Sequence, residues 1–270
     1  MLNPKNLEGL QSTGKWPVVE SDLLKTKYSN RFQVASELFK YMSSEVFESL
    51  NYYEDESPNI TEWKDEDLPH KIYSTRHEGP CFGYDVDYMA GPHDWEHEDS
   101  PIGDYVVRKK LYIYDWTGEK LGKTVDELDY FIQMHNDFLP IMQTGKTCFP
   151  RDDIKKWLHK LMVIEYSTPT ATEENVMQHR YFNTVRFGDS HCDETFAGLH
   201  LGENFIEFQA KNTVNDEWEY IDGLSDSSML WMFGEDAQSC NWKSTYHRMI
   251  PSHNTTDTRY SIIFDLQGRT

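Results

Sequence analysis

Apolar positions recur at two different periods along the chain, and the change of period divides it. Over residues 31–50, Val34/Ala35, Leu38, Tyr41/Met42, Val46 and Leu50 follow helical spacing, which predicts an amphipathic helix. Residues 125–142 carry the same pattern, and 152–163 read as a further helix, opening after Pro150 with Asp152 and Asp153 in its first turn. Between these, 104–114 are rich in β-branched and aromatic residues and run into Thr117-Gly118, which is strand and turn chemistry. Residues 1–30 are polar and weakly patterned and predict an extended arm, while 51–70 are acidic and turn-rich and predict a loop.

Beyond about residue 175 the period shortens. Strand-like runs follow at 181–187, 196–201, 205–209, 218–221, 229–233, 245–250 and 260–266. Turn residues separate them, among them Gly188-Asp189-Ser190, Gly202-Glu203-Asn204 and Asp222-Gly223. Strands at roughly ten-residue spacing suggest a β-sandwich or barrel such as a jelly roll. The expected organisation is one domain over 1–270. In it, 1–175 form a helix-rich support that supplies substrate-pocket elements, and 176–270 form the β core.

Composition narrows the function. Of 270 residues, 38% are apolar and 14% aromatic, which describes a packed globular chain rather than a disordered one. Twenty-six basic side chains stand against 46 acidic ones, a net charge of −20. Such a surface repels phosphate backbones and anionic lipid, so neither nucleic acid nor a membrane is expected as a partner. It would draw a cationic small molecule more readily than a polyanion. No apolar run approaches a membrane span, and Met1-Leu2-Asn3-Pro4-Lys5-Asn6 lacks the pattern of a signal peptide. Cys81, Cys148, Cys192 and Cys240 are scattered without a CxxC pair, which suits a reducing, cytoplasmic location. Oligomeric state is not legible.

The β-rich part carries candidate chemistry. In a strand, His191 and Asp193 at i, i+2 share a face and can point into one cavity. His247, 56 residues on, can complete a two-histidine, one-carboxylate face, the arrangement that holds non-haem Fe(II) with three positions open. His-x-Asp alone is a common pattern. Twelve residues after His247, however, Arg259-Tyr260-Ser261 puts a guanidinium and a hydroxyl on one face of the last strand. A planar fork beside a hydroxyl suits a carboxylate. A dicarboxylate could chelate the metal at one end and meet Arg259 at the other.

These pieces form an ordered series over about a third of the chain. It runs from Asn183 through His191-Cys192-Asp193-Glu194-Thr195, Gly198-Leu199-His200-Leu201, Phe208-Gln209 and Glu217-Trp218 to Tyr246-His247-Arg248-Met249 and Arg259-Tyr260-Ser261-Ile262. The series resembles the double-stranded β-helix core of the Fe(II)/2-oxoglutarate-dependent dioxygenases, most closely the branch of isopenicillin N synthase and the plant dioxygenases. The resemblance implies a mainly β fold with α elements, a jelly-roll core with N-terminal helices packed on it. It implies iron held by His191, Asp193 and His247, with O2 and 2-oxoglutarate as cosubstrates. The far carboxylate of 2-oxoglutarate would meet Arg259 and Ser261, with Asn183 near the cosubstrate. The family often has a tyrosine two residues after that asparagine, where this chain has Val185. Related halogenases lack the carboxylate, so Asp193 implies oxidation, in the first instance hydroxylation, of a small molecule such as an amino acid or natural-product intermediate. The alternatives are an isopenicillin N synthase-like oxidase that does not use 2-oxoglutarate, and a non-catalytic β-sandwich binding module.

Other motifs have simpler readings. His93-Asp94-Trp95-Glu96-His97 fits the H-x-x-E-H pattern of a zinc protease, but it follows Gly91-Pro92 and runs into Glu98-Asp99-Ser100-Pro101, an acidic loop rather than the required helix. Cys192, between two ligands, is expected to face away from them. His200 reads as a packed histidine or a substrate contact, and Trp218 and Trp231 as sheet or core residues.

Overall fold

The computed structural model describes residues 14–42, 81–89, 106–114, 126–148, 156–167, 191–193, 195, 197–202, 208–221, 224–249 and 258–269. The fold is mainly antiparallel β with a few helices, consistent with a jelly-roll type. Strand β1 (Val18–Glu20) and the short helix α1 (Asp22–Thr26) lead into helix α2 (Arg31–Met42). Strands β2 (Cys81–Met89) and β3 (Val106–Tyr114) precede helix α3 (Asp126–Cys148) and strand β4 (Lys156–Ser167). Then come β5 (Ala197–Gly202), β6 (Phe208–Lys211), β7 (Trp218–Tyr220), β8 (Ser228–Phe233), a 3-10 turn (Glu235–Cys240), β9 (His247–Met249) and β10 (Arg259–Arg269). A seven-stranded sheet has the order β1-β8-β5-β10-β4-β3-β2, and a three-stranded sheet the order β7-β6-β9.

Strand parity gives the large sheet two chemically different faces. Leu111, Leu161, Val163, Leu199, Trp231, Ile262 and Phe264 point one way, into one buried cluster. That cluster also holds Val34, Leu38 and Phe39 of α2 and Phe131, Met134 and Phe138 of α3, and Phe138 stacks on Phe264 at 5.9 Å. Each such side chain contributes about 1.5–3 kcal/mol on burial. The opposite face faces the small sheet, and Leu230 and Met232 meet Phe208, Ala210 and Ile221 there.

Two expectations require correction. Residues 156–167 are strand, not helix, paired from Arg259↔Tyr166 to Arg269↔Lys156 with β10 and also with β3. A strand flanked on both edges with packing against both faces loses its polar–apolar alternation where it is most enclosed, and here the run Leu161-Met162-Val163-Ile164 imitates a helical pattern. Nor is the segment before Arg31 merely an extended arm. Val19 of β1 pairs with Met229, and Leu24 and Tyr28 are fully buried. The Arg31 guanidinium donates to the carbonyls of Leu24, Tyr28 and Asp226, tying the segment to the 224–228 turn.

His135 of α3 is buried edge-on to Phe264 at 5.7 Å and to His159 at 5.6 Å. Burial pulls its pKa from 6.5 down to about 4. Between these values the unfolded chain binds the extra proton, so the stability contributed here is complete above pH 6.5 and is lost as pH falls toward 4. The loss is on the order of 3 kcal/mol. Denaturant titration from pH 7 to 4 should show His135→Phe less acid-sensitive than the wild type by about that amount. Parallel pH profiles would show that this imidazole has no such role.

Candidate metal centre

A bridge outside the regular strands brings the two distant histidines together. His191 N–H donates to the His247 carbonyl at 3.0 Å and His247 N–H to the His191 carbonyl at 2.9 Å. Their rings therefore lie side by side, centroids 4.4 Å apart. His247 is buried, and its Nδ1 lies 3.1 Å from the Thr245 carbonyl, so Nδ1 carries the proton and Nε2 faces the site as an acceptor. Phe208 stacks on the same ring at 5.3 Å. Two residues beyond His191, Asp193 puts Oδ1 3.9 Å from His191 Nε2 and Oδ2 4.0 Å from His247 Nε2. The His191, Asp193 and His247 donor atoms all lie within 4.8 Å of one another.

A third histidine completes the surroundings. His200 of β5 is buried, with Nε2 3.3 Å from Asp193 Oδ2. Burial would raise the Asp193 carboxyl, but His247, His200 and His191 outweigh it and hold it well below the carboxylate range. Burial pulls the His247 imidazole down to about 4, against the Asp193 charge. Cys192 points away, as its parity predicts, with Sγ 3.7 Å from the Phe233 carbonyl, and burial pushes its thiol up to about 11. Such a thiol is a packed group, not a nucleophile.

The register of the large sheet lays out the wall beside these residues. Along β10, Arg259, Ser261, Ile263 and Asp265 share the inner face. Arg259 pairs with Tyr166, Ser261 with Ile164 and Gly202, Ile263 with Met162 and His200, and Asp265 with Lys160 and Gly198. Arg259 is buried, with its guanidinium 5.4 Å from the Tyr166 ring centroid. Arg259, Ser261 and the three candidate ligands line one cavity of about 250 Å³. Lys110 and Lys160 line it too, so the cavity wall is far more cationic than the chain as a whole. A larger cavity of about 450 Å³ runs between β6 and the 3-10 turn. There Lys211 pairs with Asp216 and Lys243 donates to the Thr213 carbonyl, and no candidate ligand reaches it.

Five of the six residues singled out from the sequence thus meet at one cavity. Asn183 lies outside the described residues, as do Val185 and the His93–His97 run. Sequence reasoning did not find Asp265 and Lys160 and left His200 undecided between two roles. Parity held the signal: Asp265 is three alternations after Arg259, and His200 is flanked by Gly198 and Gly202 on the same face. Among the described residues, no helix is long and apolar enough to cross a membrane.

No protein-family model and no curated protein matches the chain. Solved structures do match its fold. A dioxygenase for auxin oxidation from Arabidopsis thaliana, in a binary complex with 2-oxoglutarate, is 14% identical with a TM-score of 0.53, over 100% of this chain and 91% of that one. A full-length Neurospora crassa protein crystallised in complex with alpha-KG is 14% identical with a TM-score of 0.52, over 98% and 79%. A protein assigned to the 2OG-Fe(II) oxygenase family from Caulobacter crescentus is 13% identical with a TM-score of 0.54, over 98% and 81%. The chain shares the fold of these three structures.

Proposed function

We propose that this chain is an Fe(II)- and 2-oxoglutarate-dependent oxygenase that oxidises, in the first instance hydroxylates, a small molecule, with succinate and CO2 as coproducts. The observation that carries the reading is the convergence of His191, Asp193 and His247 at the cavity whose wall presents Arg259 and Ser261. The donor set fits the metal: two imidazole nitrogens and one carboxylate are the facial triad that leaves three positions open. One donor atom from each of the three residues lies within 4.8 Å of the others, close enough for one ion to draw all three onto itself with small side-chain movements. Bound iron would supply the O2 chemistry. The protein supplies binding, orientation and exclusion of water.

Arg259 and Ser261 would hold the far carboxylate of 2-oxoglutarate, the arginine through a two-pronged charge-assisted contact. Tyr166 against the guanidinium limits its rotation. We read 176–270 as the part of the double-stranded β-helix core that carries the site, with 1–175 adding strands β1–β4 to the same sheet, packing helices on it and completing the substrate pocket. Lys110 and Tyr166 on the cavity wall, and Phe138 stacked on Phe264, support that division. An auxin-oxidising enzyme among the fold relatives supports a small-molecule substrate.

Anaerobic titration of the apo-protein with Fe(II), then 2-oxoglutarate, should develop the visible metal-to-cosubstrate charge-transfer band. Arg259→Ala should bind Fe(II) normally but need about 100-fold more 2-oxoglutarate, the equivalent of about 3 kcal/mol of charged hydrogen bonding. Iron binding without any band would turn the reading toward an oxidase that dispenses with 2-oxoglutarate. No iron binding would end it.

A further inference from the structure

Behind Asp193 lies a chain of buried polar groups on the inner face of the large sheet. His200 and Asp265 are 5% and 2% exposed. Lys160, directly across from Asp265 in the sheet, brings Nζ to 3.4 Å from Asp265 Oδ2. On the other side of Asp265 stands Gly198, and a Cβ there would lie 2.4 Å from Asp265 Oδ1 and 2.9 Å from His200 Nε2. The missing side chain is therefore what gives both atoms their space. Neither atom has a well-directed hydrogen bond: His200 Nε2 is near Asp193 Oδ2 at 3.3 Å, but off the favourable line. Two orphaned buried polar atoms beside a half-buried carboxylate are costly unless the arrangement is used.

A second cation between Asp193, His200 and Asp265 is the first alternative, because their donor atoms also lie within 4.8 Å of one another. Charge argues against it. Lys160 already neutralises Asp265, and a divalent ion there would share Asp193 with the first metal, with no further anion to offset the repulsion. The group that suits a lysine–carboxylate pair on one side and a ligand carboxylate on the other is an imidazole N–H.

We propose that His200, backed by Asp265 and Lys160, is a positioning residue whose Nε2–H, 3.3 Å from Asp193 Oδ2, turns onto that oxygen when a metal is bound and so fixes the orientation of the carboxylate. This inference rests on the iron reading above. Ligating carboxylates are commonly fixed by such outer contacts, whose loss costs about 10–100-fold in metal affinity. Glutamine can keep an N–H donor at position 200, whereas methionine of similar bulk cannot. Gly198→Ala should act on the same chain by closing the space that His200 and Asp265 share.

The test is anaerobic titration of apo-protein with Co(II), read by its d–d absorption, and with Fe(II). His200→Met should bind both metals about 10–100-fold more weakly and with an altered Co(II) spectrum, and His200→Gln should lie within about threefold of the wild type. Both are first checked for cooperative thermal unfolding. If His200→Met does not fold, Asp265→Asn replaces it, with an expected loss of about 3–10-fold. Wild-type affinity and spectrum in the donor-free variant, or equal losses in Met and Gln variants that both fold, overturns the proposal and leaves the iron reading intact. A wild-type chain that binds neither metal removes both.

Discussion

Asp193→Ala is expected to lower succinate formation by at least about 10³-fold, more than about 4 kcal/mol of barrier, while the apo-protein still unfolds cooperatively. The size follows from position. Among the described residues, Asp193 is the one carboxylate with an oxygen facing each of the imidazoles of His191, His200 and His247. Its removal leaves three imidazoles facing one another with no carboxylate between them, so on the proposed reading metal affinity falls together with rate. Losing an outer contact to a ligand costs about 10–100-fold, and losing a ligand must exceed that. Asp193→Glu makes the comparison sharper. It keeps the charge but moves it by one methylene, and weak metal binding with little turnover is expected. Turnover in Asp193→Ala within tenfold of the wild type would mean that the chemistry lies elsewhere in the chain.

The site was more legible in the sequence than the fold around it. His191, Asp193, Arg259 and Ser261 sit on extended segments, where alternation alone says which side chains share a face. His247 needed long-range pairing, and only the ordered series of motifs linked it to His191. The strand β4 shows where local reading fails. Its apolar run serves two buried faces and two neighbouring strands, so no alternation survives to distinguish it from a helix. Leu24 and Tyr28 show another failure. Two buried side chains in a polar stretch give no periodic signal, yet with Arg31 they fix the whole segment.

Surface charge was a poor guide to the cavity for a similar reason. A net charge of −20 is a sum over a surface. Lys110, Lys160 and Arg259 occupy inward positions of three adjacent strands and set the local field instead. An anionic cosubstrate can therefore be held by a strongly acidic protein, because field in a low-dielectric cleft follows the nearest charges.

Gly234→Ala should cost about 3 kcal/mol or more and lower Tm by about 6–12 °C, although it adds only one methyl group. The reason is close approach, not backbone conformation. Gly234 joins β8 to the 3-10 turn, with ordinary extended backbone at φ −87°. A Cβ there would lie 2.0 Å from the Thr195 carbonyl oxygen and 2.6 Å from that of Asp193. Both are backbone atoms, so no side chain can swing aside. The same two carbonyls accept from the next residues, that of Asp193 from Glu235 N–H at 2.8 Å and that of Thr195 from Asp236 N–H at 3.2 Å. These bonds pin the segment carrying Asp193 to the end of β8, and an added methyl forces them apart. Stability and metal affinity should therefore fall together in Gly234→Ala, whereas core truncations such as Phe131→Ala should cost comparable stability with metal affinity preserved in the folded fraction. Thermal melts paired with Fe(II) titrations separate the two. A Gly234→Ala protein that melts within a degree of the wild type would show that this segment yields freely and is not what holds Asp193 in place.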